Sequence, residues 1–492
     1  MPQFDECIVC LDEQIDTQFL SCGHLCCCQA CTLRLLQNEP ARCPFCRTLL
    51  DDYDIIDPSD PVPARYTFVG NARQVDHLVH GTHDQNDDSS NHSSGDLSGQ
   101  STSDESEQSP SFQRSEIEEL ISSFPSTDVD AIVRALQSFE NNQDIQRRGC
   151  RTLGKLAGGD ARRKRLLLSK SADDRILYAM QHFANNQGIQ QWGCLALGKL
   201  AGGAEGIKQT LMSKSAESRI IYAIQHFESN QGIQLWGCLA LGNLALGDVE
   251  RAQTLMAIAA DDRIIYAMRL FEKNQDIQRL GCLALGNLAF HNDEIRRTLT
   301  NKAADRIIHA MQQFENNQEI QIEGCAVLGN LAGDAEINRS LLSKCAADRI
   351  VFAMQHFENN QEIQHMGCLA FGNLSGDNDE INRALMSKTV DDRILYAMQH
   401  FENNEGIQVN GCRALGNISQ QDDGIKRTLM GKSADDRIIC AMQNFEKNLD
   451  IQIEGCATLG NLVGGGKDGR IRTLNSKSVG DRIIYAMQHF EN

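Results

Sequence analysis

The chain has 492 residues, 41% hydrophobic but only 5% aromatic, with a formal net charge of −19. That length exceeds what a single hydrophobic core holds, and that charge opposes broad binding to a phosphate backbone. No basic-then-apolar leader opens the chain and no run approaches the roughly 20 apolar residues of a membrane span, so nucleic-acid and transmembrane roles are set aside and a soluble, intracellular protein is expected.

The 19 cysteines divide into nine before residue 50 and ten spread along a later repeating pattern, which suits metal thiolates and reduced thiols better than a disulfide framework. In the first group, Cys7, Cys10, Cys22, His24, Cys28, Cys31, Cys43 and Cys46 are spaced C-x2-C, eleven residues, C-x-H, three residues, C-x2-C, eleven residues, C-x2-C. Two thiolate pairs can complete one tetrahedral zinc site, so eight ligands make two closed structural sites, two Zn2+ in all. Closed sites leave no position for a metal-bound water, which excludes metal-assisted hydrolysis there. The metal instead supplies the folding free energy that about 50 residues cannot gain by burial.

From about residue 5 to residue 50 the chain resembles the RING finger in its form with seven cysteines and one histidine. The resemblance implies a small α+β domain, residues 1–52, with cross-braced ligands: Cys7, Cys10, Cys28 and Cys31 on one zinc, and Cys22, His24, Cys43 and Cys46 on the other. Cys27 could replace Cys28 only through a longer knuckle, and the spare pair otherwise reads as free thiols. The resemblance also implies a non-covalent ubiquitin ligase, whose contribution is to position a ubiquitin-loaded conjugating enzyme against a substrate lysine. The family's docking positions are Val9, Leu35 and Pro44 here, and Arg47, directly after the last ligand, would touch both ubiquitin and the conjugating enzyme. Leu35 stands where the family often has tryptophan. The competing reading places Val9 and Leu35 in the domain's core and leaves Arg47 as a solvated charge.

Residues 53–114 are expected to be an acidic, Ser-rich linker. Between residues 51 and 120, 16 Asp and Glu face three Arg and no Lys, which accounts for −13 of the net charge. The run "HDQNDDSSNHSSGDLSGQSTSDESEQSPS" cannot bury enough apolar surface to offset chain entropy, so disorder is expected over about 60–113. Its Ser103, before Asp104 and Glu105, is a weak phosphorylation signal. His77, His80 and His83 read as solvated linker rather than as metal ligands.

Residues 115–492 repeat. Gly-Cys recurs at Gly149, Gly193, Gly237, Gly281, Gly324, Gly367, Gly411 and Gly455, in steps of 43 or 44, a period that marks a helical solenoid. One period holds three amphipathic patterns. In "DRIIYAMRLF", Ile264, Ala267, Met268 and Phe271 share a face, with Asp262 as the expected cap. In "DIQRLGCLALGNLA" the shared face is Ile277, Gly281, Ala284, Leu285 and Leu288. "DEIRRTLTNK" predicts a separate shorter helix around Ile295 and Leu299. The final "DRIIYAMQHFEN" reads as one helix of a ninth copy.

The "LGNLA" endings and the apolar helix before "NNQ" resemble the armadillo repeat, which implies a mainly α fold: an armadillo-type superhelix whose longest helices line a concave groove for an extended peptide. In that family an asparagine on each long helix bonds the peptide backbone. Here Asn243, Asn287, Asn330, Asn373, Asn417 and Asn461 fill the position, with Lys155 and Lys199 in the first two copies. A competing reading has these asparagines tie copy to copy. The importin-type tryptophan four residues earlier is replaced by Arg151, Leu195, Leu239, Leu283, Ala326, Leu369, Arg413 and Ala457, so basic nuclear-import signals are not the expected cargo. Seven residues before the asparagine the copies read Arg148, Trp192, Trp236, Leu280, Glu323, Met366, Asn410 and Glu454. This varying row is the specificity candidate, and its basic, tryptophan-bearing start suits an acidic peptide with apolar anchors. The repeated cysteines read as small buried core. "RRKR", Arg162 to Arg165, could be a nuclear-localisation signal but reads better as a solvated helix face.

Together these expectations describe a RING-type ubiquitin ligase, cytoplasmic or nuclear, with a conjugating enzyme, ubiquitin and a groove-bound protein substrate as partners. The alternative is a non-catalytic scaffold that uses both modules for assembly.

Overall fold

The computed structural model describes residues 17–19, 25–27, 53–55, 128–289, 292–464 and 479–489. Three short strands, β1 (Thr17–Phe19), β2 (Leu25–Cys27) and β3 (Tyr53–Ile55), form an antiparallel sheet in the order β2-β1-β3. Thr17 faces Cys27 on one side and Ile55 on the other. The last strand carries the sheet past residue 52, where the linker was expected to begin. The expected linker disorder over 60–113 falls outside the described residues.

The helices divide after Gly203 into two compact units. Both repeat one pattern: a short helix, a middle helix and a long helix of 14 or 15 residues, such as Gln187–Ala201 or Gln275–Leu288. Asparagine decides where each long helix begins. Asn274 stands in extended backbone and accepts the Ile277 N–H at Oδ1, 2.9 Å away, and the residue before every other long helix does the same. Such a cap contributes about 1 kcal/mol. The same side chain often reaches back a copy: Nδ2 of Asn186, Asn317 and Asn360 donates at 3.0 Å to Gln143, Gln275 and Gln318 respectively. The "NNQ" motif is therefore a cap and a staple together.

The glutamine three residues into the long helix ends the helix before it. Gln278 Nε2 donates to the carbonyls of Met268 (2.8 Å) and Phe271 (3.0 Å), and seven other buried glutamines, from Gln146 to Gln452, repeat the arrangement. Orphan carbonyls at a buried helix end need such partners.

Two local expectations are corrected. Asp262 does not cap its helix, which begins at Ala260 after Ala259 in the left-handed region, φ 59°. Asp262 instead lies in the first turn, and with the buried Asp261 it holds Lys302 of the next copy at 2.9 and 2.8 Å. Ser171, Ser215, Cys345, Thr389 and Ser433 occupy the same left-handed position in their copies. Nor is "DEIRRTLTNK" a separate helix: Asp293–Gln313 runs unbroken for 21 residues. That copy is 43 residues long, and aligning "SKSAESRI" with "NKAADRI" shows that the residue missing is the left-handed one. Without it the backbone has no reason to turn.

Glycines set the packing of the long helices at two places. A Cβ on Gly281 would lie 2.5 Å from Met268 Cγ and Sδ, so the Gly-Cys dipeptide seats the long helix on the middle one. A Cβ on Gly242 would lie 2.8 Å from the Ala284 Cα of the next long helix, which a side chain would push away. Among the described residues, no helix is long and apolar enough to cross a membrane.

Candidate functional site

The expected zinc ligands Cys7, Cys10, Cys22, His24, Cys28, Cys31, Cys43 and Cys46, and the expected docking residues Val9, Leu35, Pro44 and Arg47, lie outside the described residues. The sheet nevertheless bears on them. In sequence, Cys22 and His24 fall between the paired strands β1 and β2, and Cys28 follows the last residue of β2. Seven thiols and one imidazole are a donor set suited to zinc.

In the unit beginning at residue 204, the asparagine row is built into the stack. Nδ2 of Asn287, Asn373, Asn417 and Asn461 donates to the carbonyls of Gly242, Gly329, Gly372 and Gly416 at 3.0 to 3.1 Å, and Asn330 to Gly286 at 3.4 Å. Each acceptor is the residue just before the preceding copy's own asparagine. One amide hydrogen per asparagine is thus committed to holding copies together. Asn243, Asn287 and Asn330 are buried, Asn417 and Asn461 half-buried, and Asn373 exposed.

The row seven residues earlier is closed in this unit. Trp236 is 8% exposed, and Leu280, Glu323, Met366 and Asn410 are no more open. Glu454 is half-buried and accepts from Arg413 Nε at 2.8 Å. Sequence reasoning identified the row but not its burial, because neighbouring copies supply the cover.

The unit spanning 128–203 differs. Arg148 and Lys155 are exposed, and Arg151, Trp192 and Lys199 are half-buried. Arg148, Arg151 and Lys155 follow i, i+3, i+7 on the long helix Gln143–Leu156 and so share a face. The Arg151 guanidinium sits 4.8 Å over the Trp192 ring of the next long helix. Lys199 reaches back toward the end of the preceding long helix, its Nζ 2.9 Å from the place a Cβ on Gly158 would take. On the helix Ala161–Ser169, Arg162, Arg163 and Arg165 are exposed while Lys164 is buried.

A set of cations and amides that sequence reading missed closes the ends of the long helices. Lys208 Nζ donates to the Leu246 carbonyl at 2.9 Å, and burial, opposed by Glu205, pushes its pKa below the usual lysine range. Arg251 donates to the Leu244 and Leu246 carbonyls and pairs with Glu205. In later copies Asn338, Asn382 and Lys426 donate to the carbonyls of Leu374, Asn417 and Gly464. The signal available was a polar residue recurring at nearly the same place in successive copies, at Lys208, Arg251, Asn338, Asn382 and Lys426, on an otherwise apolar helix face. The repeated cysteines from Cys150 to Cys412 are buried, and burial pushes Cys150, Cys194, Cys238, Cys282, Cys325 and Cys368 up to about 12. That fits packing rather than nucleophilic chemistry.

The family described as LRRK2 ARM repeat matches residues 112–256 and 259–437, and the family described as zinc finger, C3HC4 type (RING finger), matches residues 3–53. The E3 ubiquitin-protein ligase NEURL1B of Mus musculus is 47% identical over 47 residues, 10% of this chain and 9% of that protein. The E3 ubiquitin-protein ligase SPL1 of Arabidopsis thaliana is 49% identical over 43 residues, 9% of this chain and 11% of that protein. The chain thus spans about a tenth of the length of these curated relatives. The crystal structure of an engineered protein aligns with TM-score 0.62 at 16% identity, covering 73% of this chain and 87% of that one, which shows a shared fold alone.

Proposed function

The chain belongs to the LRRK2 ARM repeat family, with a C3HC4-type RING finger ahead of the repeats, and from that pairing we propose a RING-type ubiquitin ligase whose armadillo array recruits the substrate. The observation that carries the reading is the likeness of the zinc finger to the same segment of proteins named E3 ubiquitin ligases. In this reading Cys7, Cys10, Cys28 and Cys31 hold one zinc, and Cys22, His24, Cys43 and Cys46 the other. The ions fix a small domain that could not otherwise fold, and they leave the chemistry to the conjugating enzyme. Val9, Leu35 and Pro44 dock that enzyme, and Arg47 restrains the ubiquitin thioester. The catalytic gain is orientation: a thioester held still reacts faster with an incoming lysine. The long helices of the array bind a segment of the substrate.

The test is ubiquitin-chain formation by the purified chain with a panel of conjugating enzymes, beside Val9→Ala, with zinc measured on both. Chain formation by the parent, lost in a variant that keeps two zinc ions per chain, supports the proposal. Inactivity of the parent with every conjugating enzyme, at full zinc content, rejects it in favour of a non-catalytic scaffold.

A further inference from the structure

The charge of the long helices changes sign along the chain. The six in the unit beginning at residue 204 carry seven carboxylates and two arginines. The two in the unit that ends at Gly203 carry five cations and a single carboxylate, Asp144, already 3.6 Å from Arg147. This concentration of positive charge stands out in a chain of net charge −19. It is also accessible: Arg148 and Lys155 are exposed, whereas at the position of Arg148 Trp236, Leu280, Glu323, Met366 and Asn410 are buried. Trp192, half-buried beneath Arg151, supplies a rigid apolar surface beside that cation.

We propose that the long helices Gln143–Leu156 and Gln187–Ala201 form a binding site for an acidic peptide segment of a partner protein, with an apolar side chain seated against Trp192. Arg148 and Lys155 pair with carboxylates, while the Arg151–Trp192 contact holds the anchor. Arginine over an indole keeps its guanidinium available in the ring plane's neighbourhood while losing little side-chain freedom on binding. A patch that includes an indole fits a peptide with alternating charge and bulk better than a polyanion without apolar groups, which would leave the indole unused. The inference rests on the reading of the array as a recruiting surface. It does not rest on ubiquitin transfer, because binding is read without a conjugating enzyme and survives if the ligase reading fails.

The test uses the full chain and a fluorescently labelled, glutamate-rich peptide with leucine anchors, read by polarisation at low and high salt. Comparison probes are the same peptide with lysine for glutamate and an oligothymidylate of equal charge. The account expects the acidic peptide alone to bind, with affinity falling as salt rises. Joint Arg148→Glu and Lys155→Glu should weaken it about tenfold or more, since reversal adds repulsion to the lost pairing. Joint Arg162→Glu and Arg165→Glu, on the neighbouring short helix, should change it less than about twofold if the long-helix face is the site. Equal weakening by both pairs, or equal binding of the oligothymidylate, overturns the proposal by showing a general polyanion attraction. Binding that appears only after residues 84–113 are deleted overturns it too, because the occupant is then the chain's own acidic segment. No binding to parent or deletion chain at low salt ends it outright.

Discussion

A buried thiol and a crowded glycine each make a measurable claim about the stack. The pKa of Cys282 is pushed from an ordinary 9.0 to about 12, chiefly by burial. The folded chain therefore keeps that proton where the unfolded chain gives it up, so stability is full below pH 9 and falls as pH rises toward the folded value. The slope is about 1.4 kcal/mol per pH unit per thiol across that window. Denaturant midpoints followed across it should fall with pH, and Cys282→Ala should reduce the slope by one thiol's share, since the other buried repeat cysteines keep theirs. In peptide mapping after alkylation of the folded protein, the exposed Cys345 should react well before Cys150 or Cys282. The glycines give a paired test. Gly242→Ala drives a methyl against the Ala284 backbone and should cost about 1–3 kcal/mol, whereas Gly206→Ala, with nothing near, should gain about 0.5–1 kcal/mol. At this scale the sequence was legible for the cysteines, whose place beside glycine repeats eight times. It was not legible for Trp236 or Leu280, because their cover comes from other copies.

Helix boundaries were readable where a side chain marks them and unreadable where only the backbone does. "NNQ" advertises a cap, and Asn317 caps Ile320 at 3.0 Å while donating to Gln275 at 3.0 Å. Asn317→Ala should therefore cost about 1–2 kcal/mol by thermal or denaturant unfolding, and Asn317→Asp should recover most of it, since aspartate caps as well. Equal loss in both would mean that the staple to Gln275 matters more than the cap. The left-handed residue that opens six of the described middle helices carries no such mark: serine, alanine, cysteine and threonine fill it, and glycine, its usual signal, fills none of the six. Asp262 was consequently read as a cap it does not provide. The fused helix Asp293–Gln313 was detectable in principle, because a step of 43 in place of 44 reports one missing residue and alignment of the copies places it, but that this residue is the left-handed one that breaks the helix needed the backbone.

On the scale of the chain, a zinc finger of about a tenth of the length stands before a long armadillo array, and the account assigns transfer to the first and recruitment to the second. The two families were legible from ligand spacing and from period, since both are patterns that chemistry and stacking impose at fixed intervals. The restriction of the open basic face to the first two long helices was only half legible. Charge can be counted in a sequence, but exposure depends on what the next copy covers. The measurement that tests this division of labour most directly is ubiquitin transfer to a lysine-bearing reporter fused to the acidic, leucine-anchored peptide, with zinc content followed throughout. The account predicts that the parent modifies the reporter, that Val9→Ala abolishes all transfer, and that joint Arg148→Glu and Lys155→Glu abolishes reporter modification while leaving unanchored chain formation intact. Reporter modification undiminished by the charge reversal, or insensitive to Val9→Ala at full zinc occupancy, would contradict it.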